Sequence, residues 1–427
     1  MRRLYLEHMG LRCCYSFENR RKLFEIHSSF KFATVVAQRG AVTESFPCAF
    51  YLHDDSWLFA ERDGREPLEY TLDFVRKTGG EYLSFLELRS AKDLEVAQIC
   101  FQNGEPFGEV CKRLGIRFGN DLHMTNDAWR FVPTRDVLRG GEDPRDPDVL
   151  RRLIDMGYLV LHEGKTFHQY DDHWGERPRY LVPLENLSDS PALVERAQYY
   201  RLVFREVASS TNERTAIFCL VPPGAVFGHT VTAQVLLGTK STARILLLQA
   251  GINAFSTDFA LRQVVTAHLT LFIVERFALP KTQQAFSAHS ALRLTCNHSG
   301  YEPLWREQLG DVWREKREPF TWPVLETEDE RWEVRAAIDA VVADAYGLNR
   351  EQYEHVLSTF SHKSYPKAPE LCLSKFDELK SIGMEEFTRK YDPYWDIPLV
   401  ETLPKPVIDL PIPAGKTNKT GQQSLGM

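Results

Sequence analysis

Asp148, which follows Pro147, and the pair Glu163 and Lys165 in Glu163-Gly-Lys165 come nearest to a catalytic spacing. A P-D…(D/E)-x-K pattern suits magnesium-dependent DNA cleavage. There, two carboxylates hold the ion and the lysine polarises the attacking water or phosphate. Alternation along Leu161-His-Glu-Gly-Lys165 predicts Glu163 and Lys165 on one strand face. Short E-x-K strings recur by chance, and Asp148 has a plainer role as N-cap of a helix starting at Val149. Nuclease chemistry is therefore kept as the alternative. His162, His168 and His173 with Asp171 and Asp172 invite a metal reading. Their spacing matches no standard site, and a polar loop facing DNA or solvent is the plainer reading.

Other chemistries lack their signatures. The chain has no G-x-x-x-x-G-K-[ST] loop, no G-x-S-x-G elbow, no H-E-x-x-H and no G-x-G-x-x-G loop. Its eight cysteines are scattered without a C-x-x-C pair, which reads as free thiols rather than a zinc site.

These residues need elements to position them. Phe30 to Ala37 and Phe46 to Leu52 read as strands, with a turn region at Gln38-Arg-Gly-Ala41. Residues 134–148, with two glycines and two Asp-Pro steps, read as a loop or boundary. Tyr158 to Glu163 reads as a strand. Ala192 to Ser209 is predicted helical, because Leu193, Ala197, Tyr200 and Phe204 recur at helical spacing. Ala216 to Val221 reads as a buried strand stopped by Pro222, Phe255 to Val265 as a helix, and Leu269 to Val274 as a strand. Thr327 with Glu330, and Asn349 with Gln352, read as capping boxes of a helical pair, with Gly347 at the first helix's exit. Residues 401–427 read as a proline-rich strap followed by a disordered tail.

The chain has 427 residues, long enough for two or three domains. Its formal charge is −7, with 43% hydrophobic and 26% charged residues, a globular balance that excludes wholesale disorder and a histone-like positive coat. Residues 12–39 nonetheless carry six basic and two acidic side chains, and Glu326 to Glu333 carries five acids and one arginine. No apolar stretch is long enough to span a bilayer and no signal-peptide core is present, so the expectation is a cytoplasmic chain without a membrane partner.

Several strings occur together in one order. They are Phe17-Glu-Asn-Arg-Arg-Lys-Leu-Phe24, Asp121-Leu-His-Met-Thr-Asn-Asp127, His162-Glu-Gly-Lys-Thr-Phe-His-Gln-Tyr-Asp171 and Tyr200-Arg-Leu-Val-Phe-Arg-Glu-Val207. After them come Thr211-Asn-Glu-Arg-Thr215, Asn253-Ala-Phe-Ser-Thr-Asp-Phe-Ala-Leu-Arg262, Ala345-Tyr-Gly-Leu348 and Leu357-Ser-Thr-Phe360. The ordered set resembles the C-terminal half of large adenine-specific DNA methyltransferases of the type IIG restriction–modification class, and the related methylase of bacteriophage exclusion (BREX) systems. It departs from that family at His162, where tyrosine is usual, and at Thr166, where methionine is usual.

The resemblance implies an α+β fold. Residues 1–60 would be the last strands of a methyltransferase sheet, a hairpin remnant with an unpaired edge. Residues 61–147 would connect, 148–285 would form the target-recognition domain, and 286–400 a helical clamp. It implies double-stranded DNA as a partner, together with a methyltransferase catalytic half or subunit. S-adenosylmethionine belongs to that other half, since its Gly-rich loop and the (N/D)-P-P-(Y/F) motif for the flipped adenine are absent; this chain is expected to bind no cofactor and no metal. Asp392-Pro-Tyr-Trp395 is a near miss, one proline short, and reads as a turn with aromatic packing. Candidate DNA-binding residues are Lys165, His168, Gln169, Tyr170, Arg201, Arg205, Asn212, Arg214, Arg262 and Gln263. For Arg201 and Arg205 the plainer role is an ion-pair network with Glu195 and Glu206, and for Thr211 to Thr215 a capping turn. A scaffold role in a phage-defence complex, through the exposed edge near residues 30–50, is a further alternative.

Overall fold

The computed structural model describes residues 1–59, 65–207, 212–237, 241–263, 268–282 and 284–412. The fold is α+β, with several small sheets and no barrel among the described residues. In chain order the strands are β1 (Met9–Glu18), β2 (Lys31–Arg39), β3 (Ser45–Leu52), β4 (Leu68–Thr71), β5 (Gly104–Pro106), β6 (Ile116–Gly119) and β7 (Val132–Pro133). Then follow β8 (Tyr158–His162), β9 (Tyr180–Pro183), β10 (Arg201–Arg205), β11 (Phe218–Val221), β12 (Ala225–Phe227), β13 (Val231–Leu237) and β14 (Ala278–Pro280). They assemble as β2-β1-β3-β4, β11-β10-β13-β6, β12-β8-β9-β7 and β14-β5.

The predicted strands at 30–37 and 46–52 form, but not as a pair. β1 lies between them, antiparallel to β2 and parallel to β3. Gly40, in the left-handed region at φ 76°, turns the chain after β2. The hairpin of this region is thus β1–β2.

A larger correction concerns residues 192–209. The helix ends at Arg196 and the chain continues as β10, a central strand flanked by β11 and β13. Leu202 and Phe204 enter the main core while Val203 packs with Phe167 and Phe227 on the other side. A run buried on both faces suits a central strand, and pairing on both edges overrides a helical spacing of four residues. Residues 208 and 209 of that expected helix lie outside the described residues. Leu269 to Val274 also differs: Leu271–Val274 is one helical turn, and the strand is β14. Asp146, rather than Asp148, caps the helix Pro147–Asp155, accepting from the amides of Asp148 and Val149.

The main core runs from Val96 to Tyr394 and joins Phe107, Phe218, Phe255 and Trp305 to the C-terminal helices. At its centre is the helix Glu328–Tyr346. Ala336, Ala337, Ala340 and Ala343 are buried and let the neighbouring helices Gln284–Thr295 and Ala368–Tyr391 approach closely. Both capping boxes form, and Gly347 ends the first helix at φ 79°. Thr327 Oγ1 accepts from the Glu330 amide at 3.2 Å, and Glu330 accepts from the amides of Glu326 and Thr327 at 2.9 and 3.0 Å. Thr327→Ala is expected to lower stability by about 1 kcal/mol in urea unfolding. An unchanged midpoint would remove the cap from the account of this helix.

Residues 401–412 carry neither helix nor strand, and Gln198 pins them through the amides of Val407 and Leu410. The expected disordered tail lies almost wholly outside the described residues. All eight cysteines are free and seven are buried. Among the described residues no helix is long and apolar enough to cross a membrane.

Candidate nucleic-acid interface

β8 stops at His162, and a single 3-10 turn, Gly164–Thr166, follows. That turn breaks the expected alternation of Glu163 and Lys165. Glu163 is buried and accepts from Arg179 at both oxygens, at 2.7 and 2.9 Å. Lys165 pairs with Glu176 at 2.5 Å, and Asp148 lies exposed beside Arg151. All three are thus engaged elsewhere, and no nuclease site is built from them.

The turn leads into the loop Phe167 to Trp174. Buried Arg145 fastens both ends, donating to the carbonyls of Thr166, Asp172 and Trp174 at 2.8, 3.3 and 3.1 Å. His168 and Asp171 close a tight turn with Gln169 and Tyr170 at its corners. Gln169 is buried and donates to the carbonyls of Ala216 and Asn253, at 2.6 and 3.4 Å. Tyr170 is buried with φ at 60°, a left-handed conformation costing a non-glycine residue about 1–3 kcal/mol.

Three arginines grip this strained turn by its carbonyls. Arg205, on β10, donates to Phe167. From the helix Glu328–Tyr346, Arg335 donates to Gln169 at 3.1 Å and Arg331 to Tyr170 at 3.3 Å. None of the three has a carboxylate within 4.0 Å among the described residues. Nε of Arg205 and of Arg335 is buried without a hydrogen-bond partner. Burial lowers Arg205 to about 10. Burial and then Arg331 lower Arg335 to about 10. Guanidinium stays charged, so the downward push marks cations that lack a counter-anion. Burial, then Arg205 and Arg335, hold His168 well below the usual imidazole range, in its neutral form. Trp174, 44% exposed, lies beside it with ring centres 4.9 Å apart, and Arg205 lies over the same indole at 4.5 Å. The result is a partly open collar of N–H donors with an aromatic plane at its rim. Uncompensated guanidinium groups suit an anion, and forked N–H donors match a phosphate in particular. Glu328 and Asp329 border it at the helix start.

The other sequence-predicted residues separate into two kinds. Arg201 is 1% exposed and bonds Asp121 bidentately at 2.7 and 2.8 Å, and Arg214 is buried against Asp258 at 2.8 Å. Neither Arg201 nor Arg205 joins an ion-pair network with Glu195 and Glu206. Arg262 is partly exposed and holds the 212–215 turn, donating to the carbonyls of Asn212, Glu213 and Thr359 at 2.8, 3.0 and 3.3 Å. Asn212 is exposed, and Gln263 donates back to Phe259 at 3.3 Å. Arg331 and Arg335 were missed by sequence reasoning, which read the acidity of Glu326 to Glu333 and did not consider Arg335; their i, i+4 spacing was the available signal.

Folding also brings together Asp172, His173 and His298, whose candidate ligand atoms lie within 4.8 Å of one another. The tautomer argues against a metal. His298 Nδ1 accepts from the Gly300 amide at 3.1 Å, so its proton sits on Nε2, facing Asp172 at 3.1 Å. The cluster is a polar staple between the loop and the helical region. Against burial, which opposes it, His298 and His173 hold Asp172 well below the usual carboxylate range. Burial also opposes the upward shift of His173, which the Asp172 carboxylate, 3.5 Å from Nδ1, produces. The Asp172 contribution is present above about pH 4 and is lost as pH falls through the folded value; the His173 contribution is complete below about pH 6.5 and is lost as pH rises through its folded value. The urea midpoint of the native chain is expected to fall as pH rises above 6.5, and its difference from that of His173→Gln to shrink over the same range. A pH-independent difference would refute the charged pair.

The near-miss segment has a structural role. Asp392 is fully buried and accepts from His289 Nδ1 at 2.8 Å, and Tyr394 beside it is buried in the main core.

The sequence matches no protein-family profile and no curated protein. Among solved structures 23 chains match. One is a Type IIL restriction–modification enzyme, MmeI, in complex with DNA, with a TM-score of 0.32 and 10% identity over 88% of this chain and 46% of that one. The chain spans about half of that enzyme's length.

Proposed function

We propose that this chain recognises duplex DNA for a restriction–modification or phage-defence system whose adenine-specific methyl-transfer core lies outside these residues. The supporting observation is the collar of Arg205, Arg331 and Arg335, three cations without carboxylate partners around one strained, exposed-rim turn. In this reading the three guanidinium groups take phosphates and set the register on the duplex. Lys165 and His168, beside the turn, and exposed Asn212, on the 212–215 turn, supply donors and acceptors for base edges, and Trp174 supplies a stacking plane. The ordered strings from Phe17 to Phe360 favour the methyltransferase context. S-adenosylmethionine and a methyltransferase catalytic half are then partners of the assembly, and methyl transfer belongs to that half.

The test is fluorescence anisotropy of the full chain with labelled duplexes between 50 and 200 mM salt, concentrations chosen from the usual sensitivity range. About three phosphate contacts correspond to a slope near −2.7 in log K against log salt. Absence of saturable duplex binding at low salt would sink the proposal.

A further inference from the structure

We infer that the free edge of β2 is a strand-addition site for an extended segment of another protein, apolar in its middle and acidic at the end that meets Arg39. Among the described residues β2 hydrogen-bonds on one side only, to β1. It runs for nine residues without proline, and its charges stand only at its ends, Lys31 and Arg39. Proteins normally blunt such an edge with inward charges, proline, bulges or a short strand, and β2 has none of these on its own length. Its central residues are apolar and open to solvent: Val35 is 39% and Val36 50% exposed.

A second observation lies on one face of the same sheet. A groove of about 270 Å³, lined by Leu6, Leu11, Ala33, Val35, Phe50 and Phe85, runs beside the edge. An added strand pointing alternate side chains to that face would fill it, while the other set would cover Val36. The opposite charge decides the occupant. Arg39 stands opposite Met9 at one end of the β1–β2 pair, Arg12 donates to Gln38 Oε1 nearby, and neither arginine has a carboxylate within 4.0 Å among the described residues. At the other end Lys31 is already engaged with Glu87. A second copy of this chain fits poorly. Full-length antiparallel pairing about Val35 would set Lys31 against Arg39 of the partner strand at both ends, a like-charge arrangement.

The probe is a fluorescein-labelled nine-residue peptide of alternating valine and threonine with glutamate at both ends, compared with the same peptide ending in lysines. Both are titrated into the full chain without DNA, so that this result and DNA binding are read separately. The glutamate-ended peptide is expected to saturate and to bind at least tenfold tighter than the lysine-ended one. Hydrogen exchange is expected to slow at the β2 amides. Arg39→Glu is expected to bring the two peptides within about threefold of each other. Val36→Lys, at an exposed position, is expected to weaken binding at least tenfold with an unchanged circular dichroism spectrum. No saturation, equal binding of the two peptides, or protection outside β2 would overturn the proposal. So would a dimer of the chain in sedimentation that Val36→Lys dissolves, because the occupant would then be a second copy.

Discussion

Replacing Arg201 with methionine is expected to destabilise the chain by about 3–5 kcal/mol, the usual cost of leaving one member of a buried ion pair alone. Arg201 and Asp121 are both shielded from solvent, and their two parallel bonds measure 2.7 and 2.8 Å. Arg201 Nε also donates to the Gln234 carbonyl at 2.9 Å, so one side chain joins β10, β13 and the 120–127 loop. Without it, Asp121 keeps only Arg196, at 3.5 Å, as a cationic partner among the described residues. The measurement is the urea midpoint of the native chain and of Arg201→Met, Asp121→Leu and the double variant. The double variant is expected to recover much of the loss, because removing both charges avoids the stranded carboxylate. If the loss in the double variant equals the sum of the two single losses, the pair is not coupled and this account fails.

The second large effect concerns binding. Arg205→Gln, Arg331→Gln and Arg335→Gln together are expected to lower duplex affinity on the order of 100-fold or more at low salt and to flatten the salt slope by about 2.7. Glutamine keeps a donor for the carbonyls of Phe167, Gln169 and Tyr170 while removing the charge. A comparison triple at Arg3, Arg76 and Lys77, on the N-terminal helices, removes the same charge away from the collar. Its affinity is expected to fall less than threefold. Equal losses in the two triples would mean that net charge, and not the collar, governs binding. Circular dichroism and the urea midpoint establish that each triple is folded before affinities are compared.

Much of the local structure was legible from neighbouring residues. Thr327 and Glu330, Asn349 and Gln352, and Gly347 mark helix ends because their partners lie within a few positions. β2, β3, β8 and β11 were legible as apolar runs bounded by turn residues. The residues around Lys165 to Tyr170 were read as a polar loop; the segment is a turn and loop, with Gln169 and Tyr170 buried in it. β10 was not legible, because its partners β11 and β13 lie further along the chain, and a strand is completed only by such partners.

The roles of the arginines were decided by tertiary structure. Arg201 and Arg205 sit on one strand with the same residue type and similar neighbours, yet one is locked to a carboxylate 80 positions away and the other has none. Arg331 is one arginine in an acidic segment and Arg335 lies just beyond it, yet folding places both on the carbonyls of a loop more than 160 positions earlier. The sequence by itself determined the two capping boxes, the exit at Gly347 and the apolar runs of β2, β3, β8 and β11, because those signals lie between near neighbours. Only the tertiary structure decided which cations are neutralised, because a charge is satisfied by whatever the fold brings within about 4 Å, whatever the distance along the chain.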